Sequence, residues 1–175
     1  ASDYDNGWVN LNNGLGITQY YGVAGNSNGV LYGGAQDNGT NRGMTSGATD
    51  WTFAFGGDGG ETAADPTDPN YLYGEYTHGK VHRSSNGGTS VDYIYGEYYN
   101  GTTFTCRPAP YRIDDACNDQ GSFIAPIVLD PNNAERLLVG VLSLWRTNDA
   151  RTPNVFTNPT GVQWAEIKAS TGSNI

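Results

Sequence analysis

The chain has 175 residues, of which 25 are glycine and 12 tyrosine; charged residues make up only 15%, and 18 acids against 9 bases give a formal charge of −9. That length suits one domain with a sizeable core, and tyrosine, threonine and valine beside glycine and asparagine make an all-β composition of pleated strands and tight turns. A nucleic-acid partner needs a basic stripe and a helical membrane span needs ~18–20 consecutive apolar residues, and the sequence contains neither.

In chain order, Ala1-Ser2-Asp3-Tyr4 lacks the basic and apolar regions of a signal peptide, so any such segment is expected upstream or already removed. Turn residues Asp5-Asn6-Gly7 precede Trp8, and Ala48-Thr49-Asp50 precede Trp51 one repeat later, a spacing within the ~40–50 residues of a propeller blade. Between them, residues 16–24 and 29–34 read as strands and Gln36-Asp37-Asn38-Gly39-Thr40-Asn41 as a loop. A short third strand is expected over 42–45 and a fourth opens at Trp51. The fourth runs into Gly56-Gly57-Asp58-Gly59-Gly60-Glu61, whose glycines mark a backbone that side chains would obstruct and which carries two carboxylates.

A second unit follows: a short strand after Glu61, the turn Asp65-Pro66-Thr67-Asp68-Pro69-Asn70, strands over 71–76 and 80–84, the turn Ser85-Asn86-Gly87-Gly88-Thr89, and a strand over 91–98. Residues 100–120 break the rhythm with a loop bracketed by Cys106 and Cys117 and containing Pro108 and Pro110. The two cysteines read as a disulfide, which would imply an oxidising compartment, or otherwise as two buried thiols. A third unit has strands over 123–129, 136–141, 144–147 and 162–167, with the turn Asp130-Pro131-Asn132-Asn133 after the first. The only helical signal is a single turn at Asn133-Ala134-Glu135.

The stretch Ser84-Ser85-Asn86-Gly87-Gly88-Thr89-Ser90 resembles an Asp-box, the Ser-x-Asp-x-Gly-x-Thr turn of BNR-type propeller repeats, with Asn86 at the acidic position and Ser90 at the threonine. Arg146-Thr147-Asn148-Asp149 and Thr45-Ser46-Gly47-Ala48-Thr49-Asp50-Trp51 resemble eroded copies, and the Asp-Pro-Asn turns and the opening Leu15-Gly16-Ile17-Thr18-Gln19-Tyr20-Tyr21 fit the same families. The resemblance, to sialidases, two-propeller xyloglucanases and sortilin-type receptors, implies a single partial β-propeller domain over 1–175. Blades are expected at 15–56, 60–99 and 121–169, with a leading outer strand around Trp8 and an insertion at 100–120. It also implies that Ser84, Asn86, Gly88 and Ser90 form a structural turn on the outer rim. A ring needs four to eight blades, so the chain is expected to be a segment of a longer propeller or to take its missing blades from other subunits.

By the same analogy, loops from second to third strands and from fourth strands to the next blade share one face, which would bring Gln36, Asp37, Asn38, Asp58 and Glu61 together. These side chains suit sugar hydroxyls, and Asp37, Asp58 and Glu61 suit calcium, although no EF-hand run is present; ordinary hairpin turns explain the same residues. Asp37 and Asp58 are the candidate carboxylate pair for glycoside hydrolysis, whereas the arginines are too scattered for a sialidase. Tyr98, Tyr99 and Tyr111 beside the insertion are candidates for sugar stacking or a protein interface, or else pack the loop. His78 and His82 read as surface histidines, Ser84 and Ser85 lack an Asp–His partner pattern, and Asn38 and Asn100 are N-x-Thr glycosylation acceptors. The functional expectation is a non-catalytic extracellular or cell-surface module for glycan or protein binding, or for assembly with further blades. The alternatives are part of a glycoside hydrolase, or a structural subunit of a fibre or ring.

Overall fold

A computed structural model describes residues 17–44 and 51–172. The expected leading strand at Trp8, the Leu15-Gly16 start of the opening motif and most of the eroded turn at 45–50 lie outside the described residues.

Three four-stranded antiparallel sheets follow one another, each a simple meander. The first is β1 (Gly22–Gly25), β2 (Val30–Ala35), β3 (Gly39–Met44) and β4 (Thr52–Phe55). The second is β5 (Thr62–Ala64), β6 (Leu72–Glu75), β7 (Val81–Ser84) and β8 (Asp92–Tyr93). A hairpin of β9 (Glu97–Tyr99) and β10 (Phe104–Cys106) and a one-turn helix α1 (Asp114–Cys117) precede the third sheet. That sheet is β11 (Ile127–Asp130), β12 (Asn133–Gly140), β13 (Leu144–Thr147) and β14 (Ala165–Lys168). First strands lie beside first strands, β1 against β5 and β5 against β11, which is the arrangement of blades around a propeller axis.

The strand reading needs four corrections. Gly39, Thr40 and Asn41 belong to β3 and not to a loop, because Ala35 pairs with Gly39 and leaves only Gln36, Asp37 and Asn38 in the turn. The expected strand over 91–98 is divided: β8 ends at Tyr93, and Glu97 to Tyr99 pair instead with β10, forming a separate hairpin. Helix occurs at Asp114–Cys117, while Asn133 opens β12. His82 is a core residue with no exposure.

The main core fills the space between the second and third sheets, where Tyr73, Val81, Leu137, Val139 and Trp145 meet Ile113 and Ala116 of the insertion. Cys106 and Cys117 are joined by a disulfide. Inside the insertion, Asp115 Oδ2 accepts hydrogen bonds from Ser143 N (2.7 Å) and Trp145 Nε1 (2.9 Å), fastening α1 to the third sheet. A smaller cluster of Val30, Tyr32 and Leu72 fills the space between the first and second sheets.

Among the described residues, the outward face of each end sheet carries exposed apolar side chains, although Tyr20 lies over Gly33 of the first sheet. Strand register aligns Val23, Gly33, Asn41 and Phe53 across the first sheet, with Val23 53% and Phe53 71% exposed. Across the third sheet it aligns Val128, Leu138, Arg146 and Ala165, with Val128 57% exposed.

Candidate functional site

The turn of residues 36–38 and the crossing of residues 56–61 meet because their backbones can come very close. Gly59 N donates to Ala35 O at 3.0 Å, and Gly60 N donates to Glu75 O at 2.8 Å. A Cβ on Gly34 would stand 2.1 Å from Gly60 O and 2.7 Å from Gly59 C, so glycine is required on both sides of this contact. Asp37 sits in the left-handed region at φ 60°, and its N–H donates to Asp58 Oδ1 at 2.9 Å. Asp58 thus clamps the turn, while Gln36 Oε1 accepts the Tyr21 hydroxyl at 2.7 Å and Asn38 Nδ2 donates to Gln36 O at 3.1 Å.

Gln36, Asp37 and Asn38 line an open pocket of about 380 Å³ with Gln19 and Tyr21. Asn38 also borders a second pocket of about 430 Å³ on the outward face of the first sheet, beside Tyr20, Trp51 and Phe53. Glu61 stays on the blade-two side, half-buried, with Oε2 close to Gly22. Among the described residues no group of three or more His, Cys, Asp or Glu side chains is placed to hold a metal ion.

Beneath the crossing lies Glu75, which sequence reasoning passed over. It is fully buried; Oε1 accepts the Gly79 N–H at 3.0 Å, and Oε2, facing Gly60, has no hydrogen-bond partner among the described residues. Burial pushes its pKa up to about 8; the nearby N–H groups of Gly79 and Ala125 offset part of that rise, and the charges of Glu61 and Asp58 add to it. An acid within the otherwise apolar run Tyr71-Leu72-Tyr73-Gly74-Glu75-Tyr76 was the signal available. His82 is the neighbouring case: Tyr32 Oη lies 3.4 Å from Nδ1, Thr40 Oγ1 lies 3.2 Å from Nε2, and the Phe55 ring stacks on the imidazole at 4.4 Å. Burial lowers its pKa to about 3, so it is neutral.

The tyrosines beside the insertion separate. Tyr98 lies 5.8 Å from the guanidinium of buried Arg107, and Tyr111 is half-buried with its N–H on Pro108 O. Tyr99 joins an aromatic group with Phe104 (5.5 Å) and Phe156 (6.2 Å), two rings the sequence reading left out. Asn38 and Asn100 are both exposed; Asn100 Oδ1 accepts the N–H groups of Thr102 and Thr103.

The turn at residues 84–90 closes on itself. Ser84 Oγ accepts Gly88 N (2.8 Å) and Asn86 N (3.2 Å) and donates to Asn86 Oδ1 (2.9 Å), which in turn accepts Ser90 N (2.9 Å). Gly88 has φ 85°, the left-handed conformation that glycine tolerates. The third sheet repeats these bonds. Thr147 Oγ1 donates to Asp149 Oδ1 (2.5 Å) and accepts Asp149 N (3.1 Å), and Asp149 Oδ1 accepts Gln163 N (3.1 Å). Here, however, a long segment intervenes between Asp149 and Gln163.

No family model and no curated protein matches the sequence. Among solved structures, the chain is similar to the GH74 xyloglucanase from Xanthomonas campestris, with a TM-score of 0.58 and 16% identity over 84% of this chain and 23% of that one. It is also similar to Sqt1 from Saccharomyces cerevisiae, with a TM-score of 0.51 and 11% identity over 87% of this chain and 37% of that one. Identities this low establish the β-propeller fold alone. The chain spans well under half the length of either structure.

Proposed function

We propose that this chain is a three-blade section of a larger, non-catalytic propeller that works outside the cytoplasm. In this reading further blades, from the same or another chain, cover its end sheets. The face carrying Gln36, Asp37, Asn38, Asp58 and Glu61 holds a glycan or protein ligand, with Tyr98, Tyr99 and Tyr111 as further contact candidates. The observation that carries the reading is the outward face of the first sheet, where Val23 and Phe53 are exposed at the two ends of a row whose middle members, Gly33 and Asn41, are buried; a ring would pack such a face against its next blade. The disulfide supports an oxidising compartment, and the two matching turns at residues 84–90 and 147–163 support an Asp-box-type propeller. In a host with the machinery, Asn38 and Asn100 are accessible for glycosylation.

Non-catalytic binding is favoured over hydrolysis by the placement of the carboxyls. Glu75 holds its proton well enough to serve as a general acid, but it is sealed beneath Gly60, out of reach of a substrate. The likeness to a xyloglucanase supports the alternative, a glycoside hydrolase completed by residues beyond this chain. Light scattering with and without Phe53→Lys tests assembly: the unaltered chain is expected to associate, and the variant to be monomeric. An unaltered chain that stays monomeric overturns the assembly reading. Release of reducing ends from a β-glucan panel, abolished by Asp58→Asn, would replace non-catalytic binding with hydrolysis.

A further inference from the structure

A separate pocket of about 260 Å³ opens at the outer edge of the second sheet, with none of Gln36, Asp37, Asn38, Asp58 or Glu61 in its lining. Four aromatic rings line it: Phe55 of β4, Tyr93 of β8, Phe104 of β10 and Phe156 of the segment before β14. The rings are set at steep angles to one another, Phe55 to Tyr93 at 68° with centroids 5.0 Å apart and Phe104 to Phe156 at 74° and 5.3 Å. Faces and edges from two directions therefore border the same space. Phe104 and Phe156 are 52% and 53% exposed, so both rings have surface to offer.

Two carboxylates complete the wall, Asp92 at the exposed edge and Glu97. Glu97 uses Oε1 to accept the Tyr95 hydroxyl at 3.0 Å, and its charge adds to burial in raising the Tyr93 phenol pKa, which places that charge beside the rings. Among the described residues no lysine or arginine lines the pocket. The cations on the far side of Glu97, Lys80 and Arg112, are paired with Asp119 and Asp114. Arg83, opposite Asp92 in the strand pairing, gives Nη1 to the carbonyls of Ala150 and Thr152. Asn154 donates its amide to Tyr93 O. Among the described residues, what remains for a ligand is mainly π surface and negative charge, with the Tyr93 hydroxyl and the second amide hydrogen of Asn154 as the side-chain donors.

A sugar needs donors as well as acceptors. A cation with an apolar skin needs what is here: ring faces attract positive charge through their quadrupole, methyl groups fill the spaces between rings, and carboxylates supply long-range attraction. We propose that this pocket binds an alkylated ammonium group of the trimethylammonium type. None of the lining residues belongs to the Gln36–Asn38 turn or is Asp58 or Glu61, while Tyr99, a further contact candidate, packs behind Phe104 and Phe156.

The test is calorimetric titration of the full chain with choline and with its neutral isostere 3,3-dimethylbutan-1-ol. Choline is expected to bind about tenfold more tightly, the magnitude of a partly desolvated cation–π contact. Phe104→Ala and Glu97→Gln, both at partly exposed positions, are each expected to weaken choline binding about fivefold, while Glu166→Gln, at an exposed position of β14, leaves it unchanged. Two further probes separate the source of the group. Acetylated trimethyllysine amide is expected to bind like choline, and phosphocholine more weakly because its phosphate meets Asp92 and Glu97. Absence of choline binding, equal binding of the neutral isostere, or phosphocholine binding as tightly as choline overturns the proposal.

Discussion

The two junctions between sheets solve one packing problem by opposite means. Between the first and second sheets the backbones touch through Gly34, Gly59 and Gly60, and the polar side chains sealed there, His82 and Glu75, are kept neutral. Between the second and third sheets, where the main apolar core lies, two arginines add links of their own, against the one that Arg42 Nε makes to Gly87 O (2.6 Å) at the first junction. Arg83 Nη1 reaches Ala150 O at 2.6 Å and Thr152 O at 2.7 Å, and Arg151 grips Asp65 and Thr67, with Tyr71 facing both guanidiniums at 6.0 and 5.0 Å. Burial opposes ionisation of Asp65, but hydrogen bonds from Arg151, Thr67 and Asp68 outweigh it and hold its pKa below the ordinary value. Close backbone contact leaves no room for solvated charge, whereas a wider gap needs groups long enough to bridge it.

The largest effect is expected from Gly34→Ala, which drives a methyl group into the Gly60 carbonyl at the glycine junction. A loss of about 3 kcal/mol or more in denaturant unfolding would sharpen the contrast. A change below ~0.5 kcal/mol would mean that the crossing shifts freely and that the junction is not backbone-limited. Arg83→Met keeps volume but strands two carbonyls, and should cost about 3 kcal/mol at the cationic junction. An unchanged midpoint would break the comparison from its other side.

The neutral junction also sets a pH profile. Glu75, raised from 4.5 to about 8, keeps a proton that the unfolded chain releases; its contribution is whole below about pH 4.5 and lost progressively up to about 8. His82, lowered from 6.5 to about 3, refuses a proton that the unfolded chain takes up, so its contribution is lost as pH falls from about 6.5 to about 3. The opposing slopes cancel between about 4.5 and 6.5, where unfolding measurements should find the stability maximum. Glu75→Gln should flatten the alkaline limb by on the order of a few kcal/mol; a maximum at pH 8 in the unaltered chain would contradict the neutral assignment. The smallest effect, about 1 kcal/mol, is expected for Ser84→Ala, which removes one turn acceptor and leaves both junctions standing.

Local chemistry made the fold legible. Tyrosine-rich strands and the glycine- and asparagine-bearing turns between them announce repeated four-stranded units, and the crossing glycines announce close contact. The sequence could not show that Val91 to Tyr98 would divide, because Tyr93 and Tyr98 look equally strand-like and only pairing with β10 separates them. Distant contacts decide the sites in the same way. Asp58 is spent on Asp37 N, Glu75 is sealed by a glycine 15 positions upstream, and Phe156 reaches the β9–β10 hairpin through Tyr99 N and Phe156 O at 2.9 Å. Residue type and spacing carry none of those partners.

The turn that closes the second sheet within residues 84–90 is held by the same bonds in the third sheet, although there the chain travels from Asp149 to Gln163 before completing them. The bonds shared by the two turns therefore fix where the chain leaves and returns at the rim, while a short and a long path between those points both satisfy them; in the short one Gly88 N adds a bond of its own to Ser84 Oγ.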